Sequence, residues 1–227
     1  MNKKTPKMWL LPLAAVVWNQ TVYYGGNLLA HNAPHRNLEL PVDRLIPFLP
    51  WTVVIYLGCF LFWAALYLRF AGRDKPSAYR FFCADFLAKG VCLVCFLLLP
   101  TTNLRPVVQD AGVWERLMLF VYRMDAPTNL FPSIHCLVSW LCFIGARSDR
   151  RFSPWAVRLT GLTAAAICLS TLTTRQHVAV DVAGGILLAE CAYWAAGHKE
   201  ILEPSSRLAD RLTGQCGPET GRRGRRA

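Results

Sequence analysis

The stretch FPSIHCLVSWLCFIGA, residues 131–146, places a proline, a hydroxyl and an imidazole at the start of an apolar run. A buried polar side chain costs free energy unless it is paired, so Ser133 and His135 either have local partners or bind a ligand. Pro132 suits the first turn of a helix, where its missing amide hydrogen costs nothing. First-turn amides lack intrahelical partners and favour an anion. The stretch therefore predicts a helix with a candidate anion site at its start.

The composition extends this prediction to a membrane protein. The 227 residues are 54% hydrophobic and 17% charged, whereas a soluble domain carries about 25% charged residues. A membrane-crossing helix needs roughly 20 mostly apolar residues. Six blocks meet or approach this length: 8–24, 51–70, 81–99, 133–146, 155–172 and 177–196. They predict an all-α, six-transmembrane-helix bundle over residues 1–200, followed by a basic and largely disordered tail over 201–227.

The Lys and Arg residues predict the orientation of the bundle. With the N-terminus in the cytoplasm, the inner segments hold 18 of these residues and the outer segments hold six. Both termini are therefore predicted to be cytoplasmic in a multi-pass cell-membrane protein. This bias accounts for the net charge of +11 without a nucleic-acid partner. Membrane lipids are the expected surroundings, and the basic tail could touch anionic lipid.

A second polar cluster precedes the sixth block. His177 and Asp181 are spaced i, i+4, so they share one helix face. A carboxylate on one imidazole nitrogen fixes the tautomer and leaves the other nitrogen as a nucleophile. Arg175 lies just before this pair. The predicted topology puts His177 and His135 at the outer ends of parallel helices, at a similar depth.

Arg105 lies at the outer end of the third block, on the same predicted side of the membrane. Two arginines, two histidines, an aspartate and a helix N-terminus suit a phosphate group, because arginine binds phosphate bidentately and neutralises charge on the phosphoryl group. One histidine would attack phosphorus and the other would protonate the leaving oxygen. The residues themselves thus favour phosphoryl chemistry at the outer face.

These motifs resemble those of the type 2 phosphatidic acid phosphatase superfamily. Arg105-Pro106 matches the end of its first motif, Pro132-Ser-Ile-His135 matches the second with Ile134 in place of glycine, and His177 with Asp181 matches the end of the third. Leu98 and Thr171 stand where the family has lysine and arginine. Order, spacing and the six-span layout agree over about residues 8–197.

The resemblance implies a mechanism that uses no metal or cofactor and acts on a phosphorylated lipid. His177, oriented by Asp181, would attack phosphorus, and His135 would protonate the lipid alkoxide and later activate water. Ser133, Arg105 and Arg175 would hold the phosphate. The expected function is hydrolysis of a phosphatidic acid-like monoester or an isoprenyl diphosphate.

Two other functions stay open at this point. Arg175, two residues before His177, is similar to an arrangement in sphingolipid synthases, which pass a phospho-head group to an alcohol. The other alternative is a transporter or scramblase without chemistry. Its discriminating features, inverted repeats or paired broken helices, are not seen in the sequence.

Two further features lie outside these motifs. Asp85 and Lys89 are spaced i, i+4 inside the third block and predict a structural ion pair. The long outer segment 100–132 contains an amphipathic stretch, residues 112–123, which predicts a short interfacial helix or lid.

Overall fold

The computed structural model describes residues 7–214, and within them the chain is almost entirely helical. Eight α-helices follow one another along the chain: α1 (Leu10–Ala30), α2 (Val53–Ala71), α3 (Lys75–Leu98), α4 (Val113–Met124), α5 (Ile134–Arg147), α6 (Pro154–Thr173), α7 (Ala179–Ala195) and α8 (Lys199–Thr213). Two 3₁₀ turns, Pro41–Leu45 and Pro50–Thr52, precede α2. The strands β1 (Arg36–Asn37) and β2 (Thr101–Thr102) pair in parallel, with Arg36 opposite Thr101. The predicted all-α class is confirmed.

Helix α3 lies at the centre of the bundle and packs against α1, α5, α7 and α8. Its small residues Ala84, Ala88 and Cys92 are fully buried and let its neighbours approach closely. At Gly145 of α5, an added Cβ atom would lie 2.8 Å from the Phe70 ring of α2. The core is therefore built by close approach of helices as well as by large apolar side chains.

Within residues 7–214, three helical segments are long and apolar enough to cross a membrane: Pro50–Ala71, Lys75–Leu98 and Pro154–Thr173. A fourth is counted if α7 and α8, which are bent by 87° at their junction, form one broken span. Helix α5 is apolar but has only 14 residues. Several long apolar helices indicate a membrane protein, and the six-span count stays a prediction.

The predicted short helix is present as α4, and its position at the membrane interface stays a prediction. Its buried residues Met118 and Val121 pack against Val53 and Tyr56 at the start of α2. The polar face of α4 stays outside this contact, with Arg116 paired to Asp110 at 2.7 Å. The segment thus covers the end of the bundle where α2 begins.

The tail requires a correction, because residues 199–213 form α8 and not a disordered segment. The helix is amphipathic, and its apolar side packs against α3 and α1. Polar contacts fix it further: Tyr79 Oη donates to Asp210 at 2.7 Å, and Lys7 N donates to Thr213 O at 3.1 Å. The rest of the predicted tail, 215–227, lies outside the described residues.

The predicted ion pair inside α3 is present and buried. Lys89 Nζ lies 2.9 Å from Asp85 Oδ2, and the two side chains are 3% and 0% exposed. Tyr67 Oη donates to Asp85 Oδ1 at 2.5 Å, and Lys89 Nζ also donates to Ala15 O at 3.3 Å. The pair therefore links α3 to both α2 and α1.

Replacing Lys89 with alanine is expected to lower the free energy of unfolding by about 3–5 kcal/mol, because it leaves the Asp85 carboxylate buried and unpaired. Unfolding in detergent micelles measures the change. Lys75→Ala is the matched control, since Lys75 is about half exposed in its pair with Asp210 and such pairs contribute about 1 kcal/mol or less. Equal losses in the two variants would contradict a structural role for the buried pair.

Candidate active site

His135 lies in the first turn of α5. Ser133 is the N-cap, and its Oγ accepts a hydrogen bond from Cys136 N at 3.3 Å. Pro132 thus precedes the cap and does not occupy the first turn. The His135 ring stacks on Tyr56 of α2, with ring centroids 4.6 Å apart, and lies 5.4 Å from the ring of Trp63. The imidazole is therefore held between its own helix and the aromatic side chains of α2.

His177 lies in the short loop between α6 and α7. The loop folds back on α6, because Gln176 N and His177 N both donate to Thr171 O, at 3.0 and 3.1 Å. Asp181 in the first turn of α7 places Oδ2 3.3 Å from His177 Nδ1, and the same oxygen accepts from Val178 N at 3.0 Å. Nδ1 is therefore engaged by the carboxylate, which leaves Nε2 for other chemistry.

The two histidine rings lie together, with centroids 5.9 Å apart. Helices α5 and α7 meet at their N-terminal ends, where Ser133 N donates to Asp181 O at 3.1 Å. Gly185 makes this approach possible, since a Cβ atom there would lie 2.5 Å from Ser133 O. Gly185 thus bears directly on the site, because it sets how closely α7 approaches the start of α5.

Arg105 contacts Gln176, the residue before His177, and is held by further groups. Its guanidinium donates to Gln176 Oε1 at 2.5 Å and to the carbonyl of Asp125 at 2.5 Å, and it lies over the Tyr122 ring. Burial lowers the pKa of Arg105, and the Asp125 carboxylate opposes that shift. Within residues 7–214, Arg105 Nε and Gln176 Nε2 are buried donors without a hydrogen-bond partner. Neither residue is among those that line the cavity beside the histidines, so the phosphate-binding role of Arg105 stays a prediction.

Arg175 points to the loop between α1 and α2. Its guanidinium donates to the carbonyls of Asp43 and Ile46 at 2.7 and 2.6 Å, and its backbone has a φ of 54° in the left-handed region. The buried Asp43 carboxylate accepts from Ala179 N at 2.7 Å and so caps α7. Arg175 and Asp43 thus fasten the loop to the start of α7. The phosphate-binding roles of Arg175 and of the fully buried Ser133 stay predictions.

A cavity of about 320 Å³ is lined by both histidines and by residues of α1, α2 and α4. Its polar lining includes Asp125, which ends α4, and Tyr56. Sequence reasoning missed both residues, as well as Gln176. Gln176 lies between the predicted site residues Arg175 and His177, so its position in the sequence could have identified it as a site residue. Asp125 and Tyr56 reach the cavity only through tertiary packing, and no spacing relates them to the histidines.

Metal-ligand geometry is absent from the part of the chain that the structure describes. Within residues 7–214, no group of three or more His, Cys, Asp or Glu side chains is arranged to hold a metal ion. The side chains at the cavity are instead a nucleophile candidate, a proton donor candidate and hydrogen-bonding groups.

Long apolar helices around two neighbouring histidines indicate a membrane protein with a candidate phosphoryl-transfer site. A model of the PAP2 superfamily matches residues 48–195, which is more than half of the chain. The chain belongs to the PAP2 superfamily, and the resemblance seen in the sequence is confirmed. Membership in this superfamily supports phosphatase-type enzyme activity. No curated protein and no solved structure matches the chain.

Proposed function

We propose that the protein cleaves a phosphate ester of a membrane lipid through a phosphohistidine on His177. The observation that supports this proposal most directly is the histidine pair. The two ring centroids lie 5.9 Å apart, and Asp181 Oδ2 lies 3.3 Å from His177 Nδ1. This arrangement supplies a nucleophile, a group that orients it and a second imidazole to move the proton. The mechanism uses no metal and no cofactor.

The reaction has two steps, and protons balance across them. In the first, His177 Nε2 forms a bond to phosphorus, the bond from phosphorus to the lipid oxygen breaks, and protonated His135 gives its proton to that oxygen. In the second, His135 takes a proton from water, the hydroxide attacks phosphorus, and the bond to Nε2 breaks. An alcohol in place of water would make the same site a phosphotransferase. Arg105 and Gln176 would hold phosphoryl oxygens through their unpartnered donors, and Ser133 and Arg175 remain candidates for that role.

A second cavity supports a lipid as the substrate. It measures about 500 Å³ and lies between α1 and α2, with mostly apolar walls. It shares Asn19, Gln20, Phe60 and Trp63 with the cavity that contains the histidines. An apolar groove that opens beside the reacting group suits an acyl or isoprenyl chain, because a chain in contact with mostly apolar walls leaves few polar groups unpaired.

The proposed setting is a six-span protein of the cell membrane with both termini in the cytoplasm and the site at the outer face. The excess of Lys and Arg in the inner segments supports this orientation. Residues 1–200 would form the membrane domain, and the segment after it would stay on the cytoplasmic side.

A panel of lipids tests the proposed function with purified protein in detergent micelles. The panel contains phosphatidic acid, diacylglycerol phosphodiesters and an isoprenyl diphosphate, each with and without glycerol or inositol as an acceptor. We expect release of the lipid alcohol from at least one substrate, with no change on adding EDTA. No cleavage of any lipid would contradict the proposal, and inhibition by EDTA that zinc or magnesium reverses would contradict the metal-free mechanism.

A further inference from the structure

One aromatic residue of α2 belongs to both cavities and lies beside a histidine. Trp63 lines the 320 Å³ cavity that contains His135 and His177, and it also lines the 500 Å³ groove between α1 and α2. Its ring centroid lies 5.4 Å from that of His135. A lipid chain in the groove would therefore touch an indole that packs against one of the proposed reacting groups.

A hydrogen bond connects Trp63 to the helix that carries His135. The indole Nε1 of Trp63 donates to Ser139 Oγ at 2.9 Å. Ser139 is fully buried and lies four residues after His135 on α5, and residues four apart share one face of a helix. The bond thus holds the indole against the face of α5 that presents the imidazole.

The orientation of the His135 imidazole depends on contacts between rings. Within residues 7–214, this imidazole packs against Tyr56, Phe60, Trp63 and His177, and no hydrogen bond fixes its nitrogens. Of the three α2 side chains, Phe60 is 54% exposed, whereas Tyr56 is 3% exposed. Tyr56 and the hydrogen-bonded Trp63 therefore hold the ring from α2, and of these two only Trp63 is among the described residues that line the groove.

Contact with a lipid chain can thus act on the rate of the chemical step as well as on binding. A chain in the groove adds dispersion contacts to the half-buried indole and restricts its motion. A general acid is effective only when it is oriented toward the oxygen that receives the proton. Binding energy from a remote part of a substrate that is used for such orientation raises kcat and does not merely lower KM.

We propose that Trp63 is a positioning residue that links the lipid chain to His135. A chain that packs on the indole holds the imidazole in the orientation from which it gives its proton to the lipid oxygen, and the hydrogen bond to Ser139 keeps the indole in place on α5. This role rests on the proposed function and deepens it. Trp63 and Ser139 act through His135 and do not contact the reacting atoms.

Pairs of substrates with long and short chains test this role on the full-length protein in detergent micelles. The pairs are dioleoyl and dihexanoyl phosphatidic acid, dioleoyl and dihexanoyl phosphatidylglycerol, and farnesyl and dimethylallyl diphosphate. Single-turnover release of the lipid alcohol at saturating protein separates the chemical step from binding. We expect the long-chain member of a cleaved pair to react at least about tenfold faster. Equal rates within that pair contradict the role of Trp63 and leave the proposed function standing, whereas no cleavage of any member overturns both.

Variants then locate the effect at the hydrogen bond. Trp63→Phe and Ser139→Ala should each lower the long-chain rate relative to the short-chain rate by about three- to tenfold, the range expected for one hydrogen bond. The double variant should be no worse than either single variant, because both remove the same bond, and Ser139→Thr should restore the wild-type ratio. Trp140→Phe is the matched control. It removes a bond of 2.9 Å to Glu190 on the adjacent residue of α5, lines neither cavity, and should keep the wild-type ratio.

A leaving group that needs no proton distinguishes positioning of His135 from general damage to the fold. The first release of p-nitrophenolate from p-nitrophenyl phosphate should stay within about twofold of the wild type in Trp63→Phe and in Ser139→Ala. An equal loss of rate on the long-chain lipid and on p-nitrophenyl phosphate contradicts the role of Trp63, and so does an unchanged ratio of long-chain to short-chain rates in Ser139→Ala. If Trp63→Phe does not fold, Ser139→Ala and its counterpart Ser139→Thr decide the question.

Discussion

Replacing His177 with alanine is expected to lower kcat for lipid cleavage by roughly 10⁴-fold or more, because the variant lacks the group that attacks phosphorus. Asp181 engages Nδ1 of this ring at 3.3 Å, so the wild-type protein has a fixed tautomer with Nε2 free. No other imidazole of the described residues has a carboxylate in that position. Steady-state release of diacylglycerol measures the loss.

His31→Ala is the matched control for this experiment. His31 is exposed, and its ring contacts the neighbouring Asn32, so its removal should leave kcat unchanged. Thermal unfolding of both variants checks that they are folded. A folded His177→Ala protein with a kcat within tenfold of the wild type would contradict the nucleophile assignment.

The second large effect is expected for His135→Ala, which should lower kcat by about 10²–10⁴-fold on natural lipids, because the leaving alkoxide then departs without a proton. The loss should depend on the leaving group. A p-nitrophenyl ester releases a weakly basic oxygen that needs no proton. The loss of rate in His135→Ala should therefore be at least about tenfold smaller for the first release of p-nitrophenolate than for cleavage of the lipid. The measurement is the pre-steady-state burst of p-nitrophenolate.

His177→Ala provides the contrast, since a better leaving group does not replace a missing nucleophile. Its defect should be equally large on the lipid and on the p-nitrophenyl ester. The His135 ring also stacks on Tyr56, so its variant is compared at a temperature well below its measured unfolding midpoint. If His135→Ala lowers the rate equally for the lipid and for the p-nitrophenyl ester, the assignment of His135 as the general acid is contradicted.

The central part of the site follows from local rules in the sequence. The i, i+4 spacing predicts the contact between His177 and Asp181, and the alternation of Lys and Arg predicts that His135 comes close to them. The order of the helices, which a single sequence encodes well, predicts that the two histidines come together. His177 lies in the loop before α7 and not on a helix face, so its contact with Asp181 joins the loop to the first turn of that helix. The buried pair of Asp85 and Lys89 does follow from the i, i+4 spacing inside a helix.

Other features depend on contacts between distant segments, and the sequence carries little signal for them. Asp125 reaches the cavity because α4 packs on the start of α2. Arg175 turns to the loop between α1 and α2 because the Asp43 and Ile46 carbonyls lie there. Neither contact has a characteristic spacing. Helix α8 was missed for another reason: its charged residues resemble those of a solvated tail, and its apolar face is stable only against α3 and α1.

The phosphoenzyme is the most direct test of the mechanism. The protein is mixed with a cleavable lipid labelled at phosphorus, quenched in alkali to preserve phosphohistidine, digested, and analysed by mass spectrometry. We expect the label on the peptide that contains His177, as a phosphoryl group that keeps its head group when the substrate is a diester. We also expect its amount to rise in His135→Ala supplied with a labelled p-nitrophenyl ester. Turnover without a label on His177, or with the label on another residue, would contradict the account.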